Sequence, residues 1–471
     1  MYATQANWDL DPVRLALSDV SVDNPTNLMS TVLPAAAREP ADSHHLRRIS
    51  LAPFVALLYA YCAGGPFGFE AMVSTSGPGM ALIFILTVPW LFSVPMAHAT
   101  AEMATAMPVE GGFYRWSRAA FGDFWGFECG WWNWTGTFLM SGAYGVMLAD
   151  YAAQVLPFTN RFTHWLIACG FLALVSYLNV LGIRLVGNLT LVLLLAALVP
   201  VAIFTYLGFR HAHFHPFVPI VPPGHNWRDV YGVGLALALW IYSGYEQLST
   251  VIEEVEEPAR NFPRGLALVV PLAIVTFVLP IAAGLAALGN WHEWETGYLV
   301  TAAKLLRPWL EWPMFAAAAV CTFVLLDSTV LSASRVPFTM AEDGYLHPSL
   351  AKLHLRYMTP ARAIVVSTAV SSLLALFSLT QLIAVYAWLR SATSILTLLA
   401  LWRLRKEGKA WRPSFRVPGG PRGLALLIIV PTTLFAWALA NSDSSARIWG
   451  PAYLSIGLLA YGLTRRIGSS A

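Results

Sequence analysis

Long apolar runs dominate the chain, separated by short polar stretches. A helix that crosses a bilayer needs about 20 mainly apolar residues. Runs of that kind lie at roughly 51–76, 80–107, 122–155, 163–182, 185–208, 229–256, 265–288, 312–340, 362–378, 381–404, 423–440 and 447–464. They predict an all-α integral membrane protein with about 12 transmembrane helices. The runs at 122–155 and 229–256 are longer than one crossing needs, so each is expected to tilt or to be interrupted.

Composition agrees with this pattern. Of the 471 residues, 57% are hydrophobic and only 12% charged, against about 25% charged in soluble domains. The 19 Trp suit a chain with many membrane interfaces. A net charge of +3 is too small to suggest a nucleic-acid partner. The first 46 residues are mostly polar and lack a basic stretch leading into an apolar core, so they read as a mobile tail rather than a signal peptide. Cys62, Cys129, Cys169 and Cys321 sit in apolar segments without metal-ligand spacing and read as buried thiols.

Loop charge gives the orientation, because Lys and Arg collect in cytoplasmic loops. With the N-terminus inside, the outer loops hold only Arg161, Arg210, Arg228, Lys304, Arg307 and Arg447 of the 29 Lys and Arg. Arg390 falls within a span and the rest lie inside. Both termini are therefore expected in the cytoplasm, with the chain in the plasma (cell inner) membrane. The outer stretch "HAHFHP", with His211, His213 and His215, has two readings, a solvated loop and a metal site.

Two spans carry breaks. The first contains "GGPFG" at 64–68 and the sixth "YSGYE" at 242–246, each followed or ended by a glutamate. Irregular backbone within a membrane persists only where protein or a cavity covers it. Taken as two five-helix halves, 47–208 and 226–404, the chain has its breaks at corresponding positions in halves of opposite topology. That is the pattern of an inverted-repeat secondary transporter with its substrate at the midplane. The tail (1–46) precedes the halves, and a basic loop with two last helices (405–471) follows them. Glycines placed for close helix packing would explain the breaks alone, but not the acids beside them.

The stretches "GGPFGFE", "AEMATAMPVEGGFYRW", "FGDFWGFECGWWNW", "LWIYSGYEQLSTVIEEVEEPARNFPRG", "MAEDGYLHPSL" and "RPSFRVPGGPRG" together resemble the amino acid–polyamine–organocation superfamily, and within it the polyamine-uptake and L-type amino acid branches. The resemblance covers about residues 50 to 465. It implies a five-plus-five inverted repeat with discontinuous first and sixth helices, two trailing helices, and alternating-access transport of a small amine or amino acid.

In amino acid carriers of this superfamily the first break cradles the substrate carboxylate with backbone N–H groups, and carbonyls of the sixth-helix break take the ammonium. The resemblance therefore implies Gly64, Gly65, Gly68, Ser243 and Gly244 as substrate-binding positions. Trp240 matches the family's aromatic gate. Pro66 has no N–H to offer and suits the first position of a helix, so it is expected to start the outer half-helix, with Glu70 about one turn inside it. Glu70 and Glu246, one near each break, suggest a substrate rich in positive charge: putrescine, spermidine, agmatine or a related amine. Amino acids, cationic or neutral, are the rival substrates. Glu246 also has a second reading, as a proton-sensing group. Phe67 and Tyr245, taken into the substrate site, and Tyr61, Trp132 and Tyr144 are further candidates for an aromatic wall that would suit an ammonium, with plain packing as the other reading of each.

Three more charged residues fall within spans: Glu128, Asp327 and Arg390. Glu128 and Asp327 are both read as extending an acidic path for a long polyamine, with Asp327 taken into the substrate site; pairing with Arg390, or a helix-end position for Glu128, is the other reading. On the cytoplasmic side, Glu102, Arg115, Arg118, Glu253, Glu254, Glu256, Glu257, Arg260 and Arg264 form a candidate inner gate, with Glu102 and Arg264 as its named gating residues. A solvated charged surface is the alternative. No resident cofactor or metal is expected. The fifth span has no lysine, so coupling by H+ symport through Glu70, Glu246 or Asp327 and exchange of two amines both fit, and Ser332 and Ser334 leave Na+ open. No nucleotide loop or nucleophile–base pair is visible, so an enzyme is not expected. A non-transporting receptor or channel is the remote rival. Monomer and dimer are both open.

Overall fold

The computed structural model describes residues 48–155, 160–377, 379–407, 411–441 and 444–468. The expected tail lies outside them. The described part is almost wholly helical. The first run forms α1 (Leu51–Cys62) and a short α2 (Ala71–Ser76), with irregular backbone between. The second is α3 (Pro78–Val88), continuing through a π turn at Pro89–Ser93 into α4 (Val94–Ala106). A short helix, α5 (Phe113–Phe121), leads into α6 (Asp123–Val155), then α7 (Arg161–Leu181) and α8 (Ile183–Arg210). The second half runs α9 (Trp227–Ile241), a 3-10 stretch Gln247–Glu254, α10 (Pro258–Leu288), the short α11 (Tyr298–Leu306), α12 (Glu311–Glu342), α13 (Ala361–Leu374) and α14 (Leu379–Glu407). The chain closes with α15 (Gly420–Ala440) and α16 (Ser444–Gly468).

Each of the twelve apolar runs coincides with one of these helices or broken helices. Seven are long and apolar enough to cross a membrane by that measure alone: the one spanning α3 and α4, then α7, α8, α10, the one ending as α12, most of α14, and α15. Of the remaining runs, those of α1/α2 and α9 are broken and α13 is short. The 122–155 run is one unbroken helix of 33 residues, α6. The 229–256 run is interrupted.

Local signals account for the ends. Asn160 caps α7, its side chain accepting the Phe162 N–H. Pro258 opens α10, where the missing N–H costs nothing. Gly289 closes α10 in the left-handed conformation.

Helices α6, α12 and α14 form the middle of the bundle. In the apolar window that ends as α12, 67% of residues are buried, against 28% in α7, α8 and α15, whose outward faces carry residues such as Val192 and Leu426. That division suits a core of helices surrounded by ones that face lipid. Helix α1 packs against α8 through Gly187 beneath Pro53 and Leu57, and against α10 through Phe54 on Phe262, ring centroids 5.1 Å apart.

The break in the first span differs from the expectation. Pro66 does not start a helix; it lies in the irregular stretch, and helix resumes only at Ala71. Glu70 is accordingly the residue just before α2 rather than one turn inside it. The physical reason is local. Gly64, Gly65 and Gly68 all adopt positive φ, so the chain cannot settle into a right-handed helix until they are passed. In the second break the outgoing segment is 3-10 rather than α-helical, with a kink at Val251.

Candidate functional site

The two breaks lie against each other and both pack on α12. Helix α1 ends when Ala63 and Gly64 both donate their N–H to the Tyr59 carbonyl (2.8 and 3.0 Å). A side chain at Gly64 would lie 2.3 Å from Leu325 of α12, and one at Gly244 would lie 2.7 Å from the Tyr61 ring. Both glycines adopt φ that other residues rarely take (+61° and +118°). Gly244→Ala is expected to destabilise the fold by about 1–3 kcal/mol, read as a lower thermal midpoint of the purified protein.

Between the breaks lies a small cavity. Its walls are the rings of Tyr61, Phe67, Phe69, Tyr144, Trp240 and Tyr386, with Ser243 and Thr329 as hydroxyl groups. Aromatic faces attract an ammonium by about 0.5–2 kcal/mol each. The lining also contains the last residues of α1 (Tyr61, Cys62) and of α9 (Trp240, Ile241). Two helix C-termini therefore end at the cavity, and each carries a partial negative charge from carbonyls without partners inside the helix. Among the described residues no Lys, Arg, Asp or Glu lines it.

Of the expected site residues, Phe67, Trp240 and Ser243 line the cavity. Gly64 and Gly65 pack on Leu325 and Cys321 of α12, and Gly68 lies near Trp240. Tyr245 is fully buried in the core, outside the lining. Trp132 also lies outside it, donating to the Leu454 carbonyl of α16. The three acids stand behind the walls rather than in them.

Glu70 turns back toward the break, its Oε2 accepting the Gly68 N–H at 2.8 Å, and the Gly297 and Leu299 backbone also lies beside its carboxylate. Glu246 forms a buried ion pair with Arg390 of α14 (Nη2 to Oε1, 2.8 Å) and accepts the Ser394 hydroxyl (2.7 Å). Asp327 faces α7, where Asn179 donates to its Oδ1 (2.6 Å). Its reason for missing the cavity is helical phase: Leu325 and Thr329 line the cavity, and the residue midway between them points to the other face. Glu128 is buried against α16, where a side chain at Gly457 would lie 2.1 Å from its Oε2. Arg390 thus pairs with Glu246, not with Asp327 or Glu128.

Sequence reading missed Tyr386, Asn133 and Gln247. Tyr386 lies one turn before Arg390 on α14, a spacing that puts an aromatic and a cation on one face. Asn133 donates to the Gln247 side chain (2.8 Å), which also receives the Tyr61 hydroxyl (3.3 Å). This network ties α6, the second break and a cavity wall together.

One end of the bundle below the cavity is closed by a polar layer. Arg335 of α12 grips Glu254 with two contacts (2.9 and 3.2 Å) and donates to Ser334 and the Leu331 carbonyl. Glu253 accepts the Glu110 N–H (2.9 Å), Ser332 donates to the Gln247 carbonyl (3.0 Å), and the Ile49 backbone bridges to Val255. Arg115 and Arg118 pair with Asp343 (3.4 and 3.0 Å).

The two named gating residues are not brought together here. Glu102 is fully buried and receives Arg405, the Trp411 indole (2.9 Å) and the Val417 N–H (2.7 Å), while Arg264 is exposed on α10. Glu102 anchors the loop after α14, and the residue sequence reading omitted from the gate, Arg335, holds the layer. Arg260 pairs with Glu257 on the surface (3.2 Å).

Burial, then the neighbouring carboxylates of Glu254 and Glu253, raise the Glu110 carboxyl above its ordinary range. In an opened, solvated end the group returns to about 4.3. The closed end therefore binds the proton more tightly. Its contribution to closure is complete below about pH 4.3 and is lost as pH rises through the raised value. Hydrogen exchange of the 107–112 amides, corrected for the intrinsic rate, is expected to quicken with rising pH, and Glu110→Gln to flatten that slope.

At the other end His211 contacts Arg307 (2.9 Å), while His213 and His215 are exposed. No group of three His, Cys, Asp or Glu able to hold a metal occurs among the described residues.

Known proteins are similar to this chain over nearly its whole length. The family model described as amino acid permease matches residues 54–460. A probable polyamine transporter of Arabidopsis thaliana is 30% identical over 427 residues, covering 90% of this chain and 85% of its own. A polyamine transporter of Oryza sativa subsp. japonica is 31% identical over 422 residues, 88% of this chain and 77% of its own. An uncharacterized transporter of Mycobacterium tuberculosis is 26% identical over 453 residues, 91% and 95%. With broken spans, a cavity between them and a match to that family over most of its length, the chain belongs to the amino acid permease family, which places it among multi-span membrane transporters rather than enzymes.

Proposed function

We propose that the protein is a secondary transporter that moves a small amine or polyamine by alternating access. The observation that carries this reading is the state of the first break. The Gly68 amide, between two cavity-lining phenylalanines, is already taken by the carboxylate of Glu70, and Pro66 has no N–H. A substrate carboxylate arriving there would meet a resident carboxylate instead of free donors. An ammonium would meet aromatic faces and two helix C-termini. Putrescine, spermidine and agmatine have the required charge and no carboxylate. The polyamine transporters among the relatives support the same substrate class.

The second reading, an amino acid permease, is favoured by one feature: Arg390, one turn beyond the lining residue Tyr386, is a buried guanidinium whose donors are unspent among the described residues and would suit a substrate carboxylate.

The rest of the account follows from sequence. The two halves are taken as inverted repeats, and both termini as cytoplasmic, in the plasma membrane. Coupling is assigned to H+ or to amine exchange, with Asp327 as a candidate proton carrier because it is buried and has no ion-pair partner among the described residues.

Ligand-induced stabilisation of the purified protein tests the substrate class. Putrescine and agmatine are expected to raise the thermal midpoint, and arginine and leucine much less. Stabilisation by leucine but by no amine would reverse the assignment. Glu70→Gln, which keeps an acceptor for Gly68 but removes the charge, is expected to weaken amine binding roughly tenfold with the fold retained.

A further inference from the structure

Two of the buried arginine–glutamate pairs, Arg335–Glu254 and Arg390–Glu246, join the second break and the segment after it to α12 and α14, and they are built differently. Arg335 meets both oxygens of Glu254 and spends its remaining terminal nitrogen on Ser334 and Leu331. Arg390 makes one contact with Glu246. Among the described residues its Nε, Nη1 and Nη2 have no partner of hydrogen-bond geometry, and neither does Oε2 of Glu246. Both side chains are almost fully buried, 4% and 1% exposed. A guanidinium offers five donors and a carboxylate is matched best by two parallel bonds, so a pair held at one corner has given up most of what burial demands. Intramembrane charges kept at such a disadvantage are functional by default.

Position says what the function is. Glu246 follows the lining residue Ser243 by three positions, and Arg390 follows the lining residue Tyr386 by one turn.

We propose that Arg390 is a resident cation, which holds Glu246 while the carrier is empty and yields it to the ammonium of the substrate. Resting on the amine reading above, this makes Arg390 a specificity and turnover residue. The unpartnered Oε2 is the landing point for the incoming N–H donors, and the return of Arg390 expels the substrate after release begins. No bond is made or broken; one cation replaces another on the same carboxylate.

The test uses full-length protein in detergent and in liposomes. In Arg390→Met the competitor is gone and Glu246 is left uncompensated. Apparent affinity for putrescine is then expected to tighten at least about tenfold, with lower thermal stability in its absence, a larger rise on adding it, and slower turnover. Arg390→Lys keeps a cation and is expected to bind near the wild-type level. In the wild type, modification of Arg390 by phenylglyoxal, mapped by mass, is expected to increase when putrescine is bound. An Arg390→Met protein that binds putrescine no more tightly than wild type would overturn the proposal. If that variant does not fold, unchanged or reduced labelling of wild-type Arg390 with putrescine overturns it. A wild type that binds no amine would instead sink the substrate reading, and loss of amino acid binding in Arg390→Met would then mark Arg390 as a carboxylate anchor.

Discussion

Arg335→Met is expected to destabilise the closed arrangement by about 3–5 kcal/mol, the range for removing one partner of a buried ion pair. Arg335 is 1% exposed and Glu254 11%, so water cannot replace the lost contacts cheaply. Four hydrogen bonds leave with the guanidinium, and Glu254 is left as an unpaired charge next to Glu253 and Glu110. The layer it holds includes Thr250 against Ser332 (3.2 Å) and the Gly111 amide on the Thr250 carbonyl (3.4 Å). Loss of the latch therefore shifts the population toward an opened end rather than only loosening one contact. A cysteine introduced at Thr250 is expected to react with a membrane-impermeant maleimide much faster in Arg335→Met than in the parent. Changing Glu254 to Gln in the same chain is expected to recover part of the stability, because the orphaned charge goes with it. Equal labelling rates in parent and variant would show that the pair does not hold the layer.

Glu102→Ala is expected to cost a similar amount, about 3–5 kcal/mol, through a different consequence. Its carboxylate collects Arg405, the Trp411 indole and the Val417 amide around one fully buried point. Thr105 adds a contact one turn on, accepting the Phe415 N–H (3.3 Å). Removing Glu102 leaves the Arg405 guanidinium and two N–H donors without their acceptor and unties residues 411–417 from α4. The expected readouts are a lower thermal midpoint and faster proteolysis within 411–417, with substrate affinity little changed because the cavity lies elsewhere. Glu102→Gln retains an acceptor but no charge and is expected to fall between.

Much of the fold was legible in the sequence. Twelve apolar runs matched twelve helical segments because burial in lipid leaves the backbone no cheaper solution than helix. The two breaks were legible as well, since glycine-bearing interruptions inside apolar runs have few other reasons to exist. What could not be read was where each acid points. Glu70 was misplaced by one turn because Pro66 was given the helix start that the positive-φ glycines on either side forbid. Asp327 sits on the right helix but on its other face, a matter of two residues. The pairs were harder still. Glu246 and Arg390, Glu254 and Arg335, and Glu102 and Arg405 join segments 81 to 303 positions apart, and one sequence offers each cation several acids at equal plausibility. Only the packing of α4, α12 and α14 around the breaks chooses among them.

The measurement that bears most directly on the central claim is uptake into liposomes containing the purified protein. Radiolabelled putrescine is expected to accumulate saturably, with spermidine and agmatine competing, and to respond to an imposed pH gradient or to amine loaded on the far side. Uptake of a neutral amino acid, with putrescine neither moving nor competing, would contradict the account.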